Sequence, residues 1–329
     1  MGETDFNFQN ILVIDFGQLG DVVLSLPALR AIRTRFPHAK ITLLLGKPGA
    51  DIIRIANVSD DQILVDRVAL RDGRKIRSVA QIFRFVRQIR ARKFDFVIDL
   101  HSLSETNILG FLSGAKWRLY ANRENRSLDW LSRFPTRPPA EDKSKHHVER
   151  YFAALLPLGI ERGEGGLRLE PPAEKQVEID EKLRVLGVED KTLIGLFLGA
   201  GHPDRRWKLD NFVELARRLA ADPQNRILIF LGPEERDLRP GLRERFGKSA
   251  IVVDEIPLLS FFTMLSRLEI FVSGDTGPMH MAAIAGAGIV LISEAGAPDI
   301  FLPLTKKLKV LNAHSIIDLS VEEVERACL

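Results

Sequence analysis

The chain has 329 residues, of which 45% are hydrophobic and 28% charged, and its formal net charge is +3. This length allows about two domains with sizeable cores, and the composition is typical of a globular protein. The single cysteine, Cys328, excludes a disulfide framework and a cysteine-based zinc site. No apolar run approaches the ~18 residues of a membrane span, and the polar first ten residues do not resemble a signal peptide. We therefore expect a soluble, cytoplasmic protein.

Short apolar runs alternate with amphipathic segments along most of the chain. The runs predict parallel strands buried on both faces, since such strands are near-continuously hydrophobic. They are Ile11–Ile14, Ile41–Leu45, Ile63–Val68, Phe94–Leu100, Leu193–Leu198, Arg226–Leu231, Ile251–Val253, Glu269–Val272 and Ile289–Ile292. Helices are predicted at Val22–Arg35, Ile76–Ala91, Tyr151–Leu158, Asn211–Ala221 and Glu234–Phe246. Strands that alternate with helices of this length indicate βαβ units.

The middle of the chain breaks this alternation. Residues 122–145 are polar and contain three prolines, which predicts a long surface loop. Residues 159–172 contain four glycines and two prolines, as expected of a linker between domains. We therefore predict two doubly wound α/β domains, residues 1–165 and 166–329, with ligands at the carboxyl ends of both sheets in a shared cleft.

Gly20 and Asp21 follow the first predicted strand and stand near the start of the first predicted helix. A strand, a glycine-containing turn and a helix start place backbone N–H groups at the edge of the sheet where ligands bind. Asp21 could simply be an N-cap or first-turn acid of that helix. It could instead be a carboxylate in the cleft that serves as a general base.

A second turn, Ser273–His280, follows a later strand. Asp275 is suited to capping the next helix or to binding ribose hydroxyls, and Gly277 lets a ligand approach the backbone closely. The helix start would form an anion site suited to a pyrophosphate. His280 lies on the same helical face as Thr276 and could donate a hydrogen bond to a phosphate. The alternative for His280 is a satisfied, partly buried histidine.

A third turn, Gly199–Lys208, is glycine-rich and then basic. Arg205 and Arg206 could clamp phosphate groups there. The alternative is a solvated basic loop in which Trp207 is a packing anchor.

Positive charge concentrates between Arg67 and Lys93, where ten basic residues accompany one acid. This basic face could meet an anionic membrane surface or a phosphorylated substrate. Most of the apolar face of the Ile76–Ala91 helix, which includes Phe83, is expected to be core. His146 and His147 are expected to be a solvated pair, because no third metal ligand is implied nearby.

Together these motifs resemble glycosyltransferase family 9, the bacterial heptosyltransferases of lipopolysaccharide core synthesis. The opening run ILVIDFGQLGDVVLSLPAL is similar to the family's first strand and its GD turn. The segment RRWKLDNFVELARRL resembles a second family signature, and SGDTGPMHMAAIAGA resembles its DTG…H nucleotide motif. The likeness extends from Ile11 to Pro303.

The resemblance implies a GT-B fold of two Rossmann-like domains, with the acceptor on the N-terminal domain and the nucleotide sugar on the C-terminal one. It implies an inverting transfer from a nucleotide sugar, usually ADP-heptose, to a cell-envelope glycan or lipopolysaccharide core acceptor, with no cofactor and no obligatory metal. Asp21 matches the family's catalytic carboxylate. The positions that match substrate-binding residues are Gly20, Arg205, Arg206, Asp275, Thr276, Gly277 and His280.

This sequence departs from the family pattern at Asp15, at Glu105 and in the stretch 292–298, which contains Glu294. Asp15 replaces a common Lys or Arg, so a positive charge near the cleft becomes negative. These departures leave the acceptor and the donor sugar open. The alternatives are a GT-B transferase with a different nucleotide sugar and a catalytically idle nucleotide-sugar binder. Peripheral contact with the cytoplasmic membrane face is a further hypothesis, and no nucleic-acid partner is expected.

Overall fold

The computed structural model describes residues 6–65, 75–163, 166–200, 205–294 and 299–329, with residues 75–82 described by their backbone alone. Three features of the sequence lie wholly or partly outside the described residues: the start of the basic segment, residues 201–204 of the glycine-rich turn, and residues 295–298. The chain divides into two compact units, Met1–Gly165 and Gly166–Leu329.

The first unit is built on a parallel sheet in the order β3-β2-β1-β4-β5. Its strands are β1 Asn10–Asp15, β2 Lys40–Gly46, β3 Asp61–Val65, β4 Phe96–Asp99 and β5 Trp117–Tyr120. The central strand β1 pairs with β2 from Asn10↔Lys40 to Asp15↔Leu45 and with β4 from Ile11↔Phe96 to Ile14↔Asp99. The order reverses between β1 and β4, and such a switch point is where ligands bind in open α/β sheets.

Helices connect these strands and cover the sheet. They are α1 Leu19–Arg35, α2 Ala50–Ala56, α3 Lys75–Ala91, α4 Ser104–Leu112 and α5 His147–Leu155. Helix α1 contains Pro27 and carries the buried side chains Val22, Leu26 and Leu29 among others. Helix α5 packs against α1, and this contact joins segments that are more than a hundred residues apart in the chain.

The second unit contains a six-stranded parallel sheet in the order β11-β10-β9-β6-β7-β8. Its strands are β6 Thr192–Phe197, β7 Asn225–Phe230, β8 Ile251–Val253, β9 Ile270–Ser273, β10 Gly288–Glu294 and β11 Leu308–Ala313. Read from β8, this is the strand order of a Rossmann dinucleotide-binding fold, with its switch point between β6 and β9. The predicted fold class, two Rossmann-like sheets, is confirmed.

The helices of the second unit are α6 Ala173–Val185, α7 Leu209–Leu219, α8 Leu242–Phe246, α9 Leu258–Leu265, α10 Gly277–Ala285 and α11 Val321–Cys328. The C-terminal helix α11 packs against α7 and the last strands of its own unit. Val324 and Cys328 are part of the same buried cluster as Leu215 of α7. Within the described ranges, no helix has both the length and the apolar character needed to cross a bilayer.

Not every sequence-based prediction agrees with the structure. The edge strands β5 and β11 were missed, and the predicted helix Glu234–Phe246 is replaced by a 3₁₀ turn at Arg236–Leu238 and the short α8. Gly241, with φ of 69°, interrupts that segment, because a left-handed residue cannot continue a right-handed helix. Phe83 was expected in the core but is 72% exposed.

Candidate functional site

Asp21 lies in the first turn of α1, next to Gly20, at the carboxyl end of β1. One of its carboxylate oxygens, Oδ2, accepts the backbone N–H of Gln18 at 2.9 Å. The turn before it is tight: a Cβ placed on Gly17 would lie 2.4 Å from the Cβ of Asp21. A glycine at position 17 is therefore what allows the Asp21 side chain to fold back over the turn.

The second oxygen of Asp21 is not used by the turn. Oδ1 lies 3.9 Å from Nε2 of His147, and the side chain of Asp21 is 33% exposed. The two sequence-based readings of Asp21 are thus compatible, since one oxygen stabilises the helix start while the other remains available for chemistry.

His147 is not part of a solvated pair, and that expectation was wrong. It is the first residue of α5, and packing of α5 against α1 buries it. Its Nε2 lies 3.1 Å from the hydroxyl of Tyr151, and the two rings meet edge to face. The Tyr151 hydroxyl in turn donates to the backbone carbonyl of Asp21 at 3.4 Å. Burial, with the positive charges of Arg123 and Arg150, lowers the pKa of His147 to about 3, so its ring is neutral at physiological pH.

Two buried carboxyl groups end the neighbouring strands. Asp15 ends β1 and accepts the Gly17 N–H at 3.1 Å, while burial raises its pKa. Asp99 ends β4 and accepts the backbone N–H of Ser102 at 2.7 Å and the side-chain amide of Asn107 at 2.8 Å. Burial raises the pKa of Asp99 to about 6. Through these hydrogen bonds, Asp15 and Asp99 stabilise the turns at the carboxyl edge of the sheet.

A positively charged group of side chains lies next to these acids. The Glu141 carboxylate lies 3.3 Å from Nε of Arg123 and 3.6 Å from Nη1 of Arg150. Two guanidinium groups therefore share one carboxylate, which leaves a net positive charge beside Asp15. Sequence reasoning missed Arg123, His147 and Tyr151. The spacing of His147 and Tyr151, four residues apart on one helix, was the only local signal of their contact.

In the second unit, the turn after β9 leads into α10. Thr276, in an extended conformation, is the N-cap residue, and its hydroxyl lies 3.0 Å from that of Ser273. The N-cap residue is thus Thr276 and not Asp275, which precedes it and is exposed. Gly277 begins α10, and His280, in its first turn, is buried with 4% exposure.

The turns that follow β6 and β9 come close to each other and to strand β10 at this edge of the sheet. A Cβ on Gly274 would lie 3.9 Å from the carbonyl oxygens of both Gly199 and Ile292. A ligand at the start of α10 would thus also border the turn after β6. Glu294, one of the departures from the family pattern, ends β10 and is exposed.

Arg205 and Arg206 have different surroundings. Nη1 of Arg206 lies 2.6 Å from Asp237, and Nη2 lies 3.7 Å from the buried Glu235. Glu235 also accepts the Gly232 N–H at 2.9 Å, and burial raises its pKa. Arg205 is exposed. Arg206 therefore links the segment after β6 to the segment after β7, whereas the guanidinium group of Arg205 is exposed to solvent.

Trp207 is the packing anchor that the sequence suggested. It is buried, meets Phe212 edge to face, and donates its indole N–H to the carbonyl of Leu319 at 3.0 Å. Across the ranges that the structure describes, no group of three or more His, Cys, Asp or Glu side chains is arranged to hold a metal ion.

Two Rossmann-like units, with motifs at the switch point of each sheet, are the architecture of the GT-B fold class. The particular family follows from comparison. The model of glycosyltransferase family 9 (heptosyltransferase) matches residues 82–324, so the chain belongs to that family.

Related proteins and structures agree with this assignment. Lipopolysaccharide heptosyltransferase 2 of Salmonella typhimurium is 22% identical over 313 residues, which are 92% of this chain and 87% of that protein. A glycosyltransferase family 9 structure from Veillonella parvula has a TM-score of 0.84 at 23% identity and covers 99% of this chain and 97% of its own. An Escherichia coli heptosyltransferase solved with ADP has a TM-score of 0.77 at 21% identity and covers 97% and 98%. At these identities the structural likeness establishes the shared fold.

Proposed function

We propose that this chain is an inverting glycosyltransferase that moves a heptose from ADP-heptose to a cell-envelope glycan or lipopolysaccharide core acceptor. The observation that carries the proposal is the divided role of the Asp21 carboxylate. Oδ2 is fixed by the Gln18 N–H, and Oδ1 is left for a substrate. A general base needs such a fixed orientation together with an open lone pair. The names of the relatives, which are lipopolysaccharide heptosyltransferases, support heptose as the transferred sugar.

In this reaction the acceptor hydroxyl oxygen attacks the anomeric carbon while its proton passes to Oδ1 of Asp21. The bond between the anomeric carbon and the diphosphate oxygen breaks, and its electron pair leaves with the diphosphate. A single displacement of this kind inverts the configuration. It requires one base and a stabilised leaving group.

We assign the leaving diphosphate to the start of α10. Thr276 and Gly277 border the first-turn N–H groups and the positive end of the helix dipole there, and His280 belongs to the same turn. Arg205, whose charge is exposed, supplies the countercharge. Asp275 would repel a phosphate, so we assign it to ribose hydroxyls. In this proposal Arg206 contributes indirectly, because its ion pairs with Glu235 and Asp237 stabilise the segment after β6 in which it lies.

A membrane-facing surface is also part of the proposal. Helix α3 contacts α4, and α4 contacts the 3₁₀ turn Asp129–Leu131. This layer carries Phe83 and Trp130, which are 72% and 74% exposed, together with Phe111, over whose ring the Arg118 guanidinium lies at 5.3 Å. The exposed Arg84, Arg87 and Arg90 of α3 add positive charge. Exposed aromatic rings among arginines suit an anionic bilayer surface, where a lipid-linked acceptor would be found.

Vesicle cosedimentation tests this surface. We expect binding to anionic vesicles that falls with salt and with Phe83→Ser or Trp130→Ser. Val177→Ser, a change of an equally exposed apolar residue in the second unit, should leave binding unchanged. Vesicle binding that depends on neither lipid charge nor salt concentration would contradict the proposal.

The base is tested by transfer rates. Asp21→Asn and Asp21→Ala should lower kcat by about 10²–10⁴-fold, the usual contribution of a general base. Glu174→Gln, which changes an exposed first-turn acid of α6, is the matched control and should leave kcat unchanged. Full activity of both Asp21 variants would show that the assignment is wrong.

The donor is tested by calorimetric titration with ADP, GDP, UDP and ADP-heptose, beside His280→Ala and Asp275→Ala. Tight binding of ADP-heptose that both variants weaken supports the proposal. Preference for another nucleotide sugar favours the first alternative. Nucleotide binding without transfer to any acceptor favours an idle binder, the reading motivated by Asp15 and Glu105.

A further inference from the structure

We propose that His147 is a positioning residue for Asp21: its neutral imidazole donates a hydrogen bond from Nε2 and so orients the carboxylate without protonating it. This inference rests on the proposed role of Asp21 as the base. His147 lies outside the segments by which this sequence resembles the family.

The packing of two helices brings His147 close to Asp21. His147 begins α5, and Asp21 lies in the first turn of α1, so the packing of these two helices sets the distance between them. The imidazole Nε2 lies 3.9 Å from Oδ1 of Asp21, the oxygen that does not cap the helix. This is longer than a hydrogen bond, and contacts of catalytic groups commonly shorten when substrate binds.

The contact with Tyr151 indicates which ring nitrogen of His147 carries the proton. The Tyr151 hydroxyl donates to the Asp21 carbonyl at 3.4 Å, which leaves its oxygen to accept a proton from the ring. Nε2 of His147 lies 3.1 Å from that oxygen. A hydrogen on Nε2 can then serve both the Tyr151 oxygen and the Asp21 carboxylate. A lone pair on Nε2 would instead face the carboxylate, which is unfavourable.

The surroundings of His147 favour the neutral form of its imidazole. Positively charged or titratable neighbours face His147 from several elements: Arg123, Arg150, His146 and His101. Asp21 is the acid beside His147, and Asp15 and Glu141 act on its neighbour Tyr151. Burial and the arginines together keep the ring neutral, and they lower its pKa to about 3. A cationic imidazolium would weaken the Asp21 carboxylate as a base, whereas a neutral donor fixes its direction at little cost in basicity.

The role differs from that of a catalytic acid or base. During transfer the proton of the acceptor hydroxyl passes to Asp21, and the bonding electrons leave with the diphosphate. His147 neither gains nor loses a proton. After product release, Asp21 returns its proton to solvent.

The test compares His147→Leu, which removes the donor, with His147→Gln, which keeps a neutral N–H donor. We expect His147→Leu to lower kcat about tenfold, since misdirection of a catalytic group is costly, with KM for both substrates within about twofold of wild type. The acidic limb of the kcat–pH profile should move upward by about half a unit or more, because the carboxylate loses a hydrogen bond. His147→Gln should restore most of kcat and the original limb.

A merely structural role predicts a different pattern. Activity would then fall in proportion to the folded fraction, measured by circular dichroism and ADP binding, with the acidic limb unmoved. Any one of three results would overturn the inference: that pattern, a His147→Leu enzyme with wild-type kcat and pH profile, or a His147→Gln enzyme that does not recover kcat. Asp21→Asn separates the two proposals: if it is inactive while His147→Leu is normal, only the positioning role fails, and if Asp21→Asn is fully active, the proposed base fails.

Discussion

Replacing Gly17 by alanine should displace Asp21. The φ of Gly17 is not in the left-handed region, so the backbone itself would accept alanine. The added Cβ, however, would lie 2.4 Å from the Cβ of Asp21 and 3.2 Å from Oδ1 of Asp15. Ordinary carbon contacts are about 3.5–4.0 Å, so Asp21 and the turn must separate by about 1 Å.

Such a shift has two expected consequences. A misplacement of about 1 Å at a catalytic group lowers kcat by about 10²-fold. Overpacking of a tight site costs about 1–3 kcal/mol of the free energy of unfolding. Binding of ADP should be unchanged, because Gly17 lies in the first unit and the nucleotide motif in the second.

Initial transfer rates, thermal melts and ADP calorimetry measure these three quantities. Gly163→Ala is the matched control, since a Cβ there would meet nothing within 4 Å. If Gly17→Ala retained both wild-type kcat and wild-type stability, the contact between Gly17 and Asp21 would not constrain the base, and the reasoning would be refuted.

Three further predictions follow from single contacts. The pKa of His147 is about 3 in the folded protein and about 6.5 in the unfolded chain. The stability that the neutral ring provides is therefore present above pH 6.5 and is lost as the pH falls toward 3. In urea titrations between pH 7 and pH 4, the wild type should lose up to about 3 kcal/mol of its free energy of unfolding relative to His147→Gln. Trp207→Phe removes the donor to the Leu319 carbonyl and should lower the free energy of unfolding by about 1–3 kcal/mol in the same assay, and an unchanged urea midpoint would contradict this. Arg205→Ala should weaken ADP-heptose binding with little effect on stability. Arg206→Ala, which removes the ion-pair partner of the buried Glu235, should lower the free energy of unfolding by about 3 kcal/mol. Equal effects of the two substitutions on both properties would contradict this division.

The central strands could be predicted from the sequence because both of their faces are buried. Strands β1, β2 and β6 are continuous apolar runs, and their predicted bounds lie within one residue of the observed ones. The edge strands β5 and β11 are only partly buried and include charged residues such as Arg118 and Lys309. Their hydrophobic pattern is therefore broken, and periodicity alone does not identify them.

The candidate site was predictable only where it depends on local sequence. Asp21 and Thr276 follow strands and begin helices, and such positions can be read from neighbouring residues. His147 reaches Asp21 only because α5 packs on α1, which is a tertiary contact between distant segments. Likewise Glu235 turns back to the Gly232 N–H and to Arg206, which no helical pattern in that segment indicates.

The central claim is a single displacement in which Asp21 is the base. The most direct measurement is the anomeric configuration of the transferred sugar, determined by NMR on the product of the wild-type enzyme, together with the single-turnover rate of Asp21→Asn. We predict an inverted configuration and a rate lowered by about 10²-fold or more. A retained configuration, or a wild-type rate in Asp21→Asn, would contradict the account.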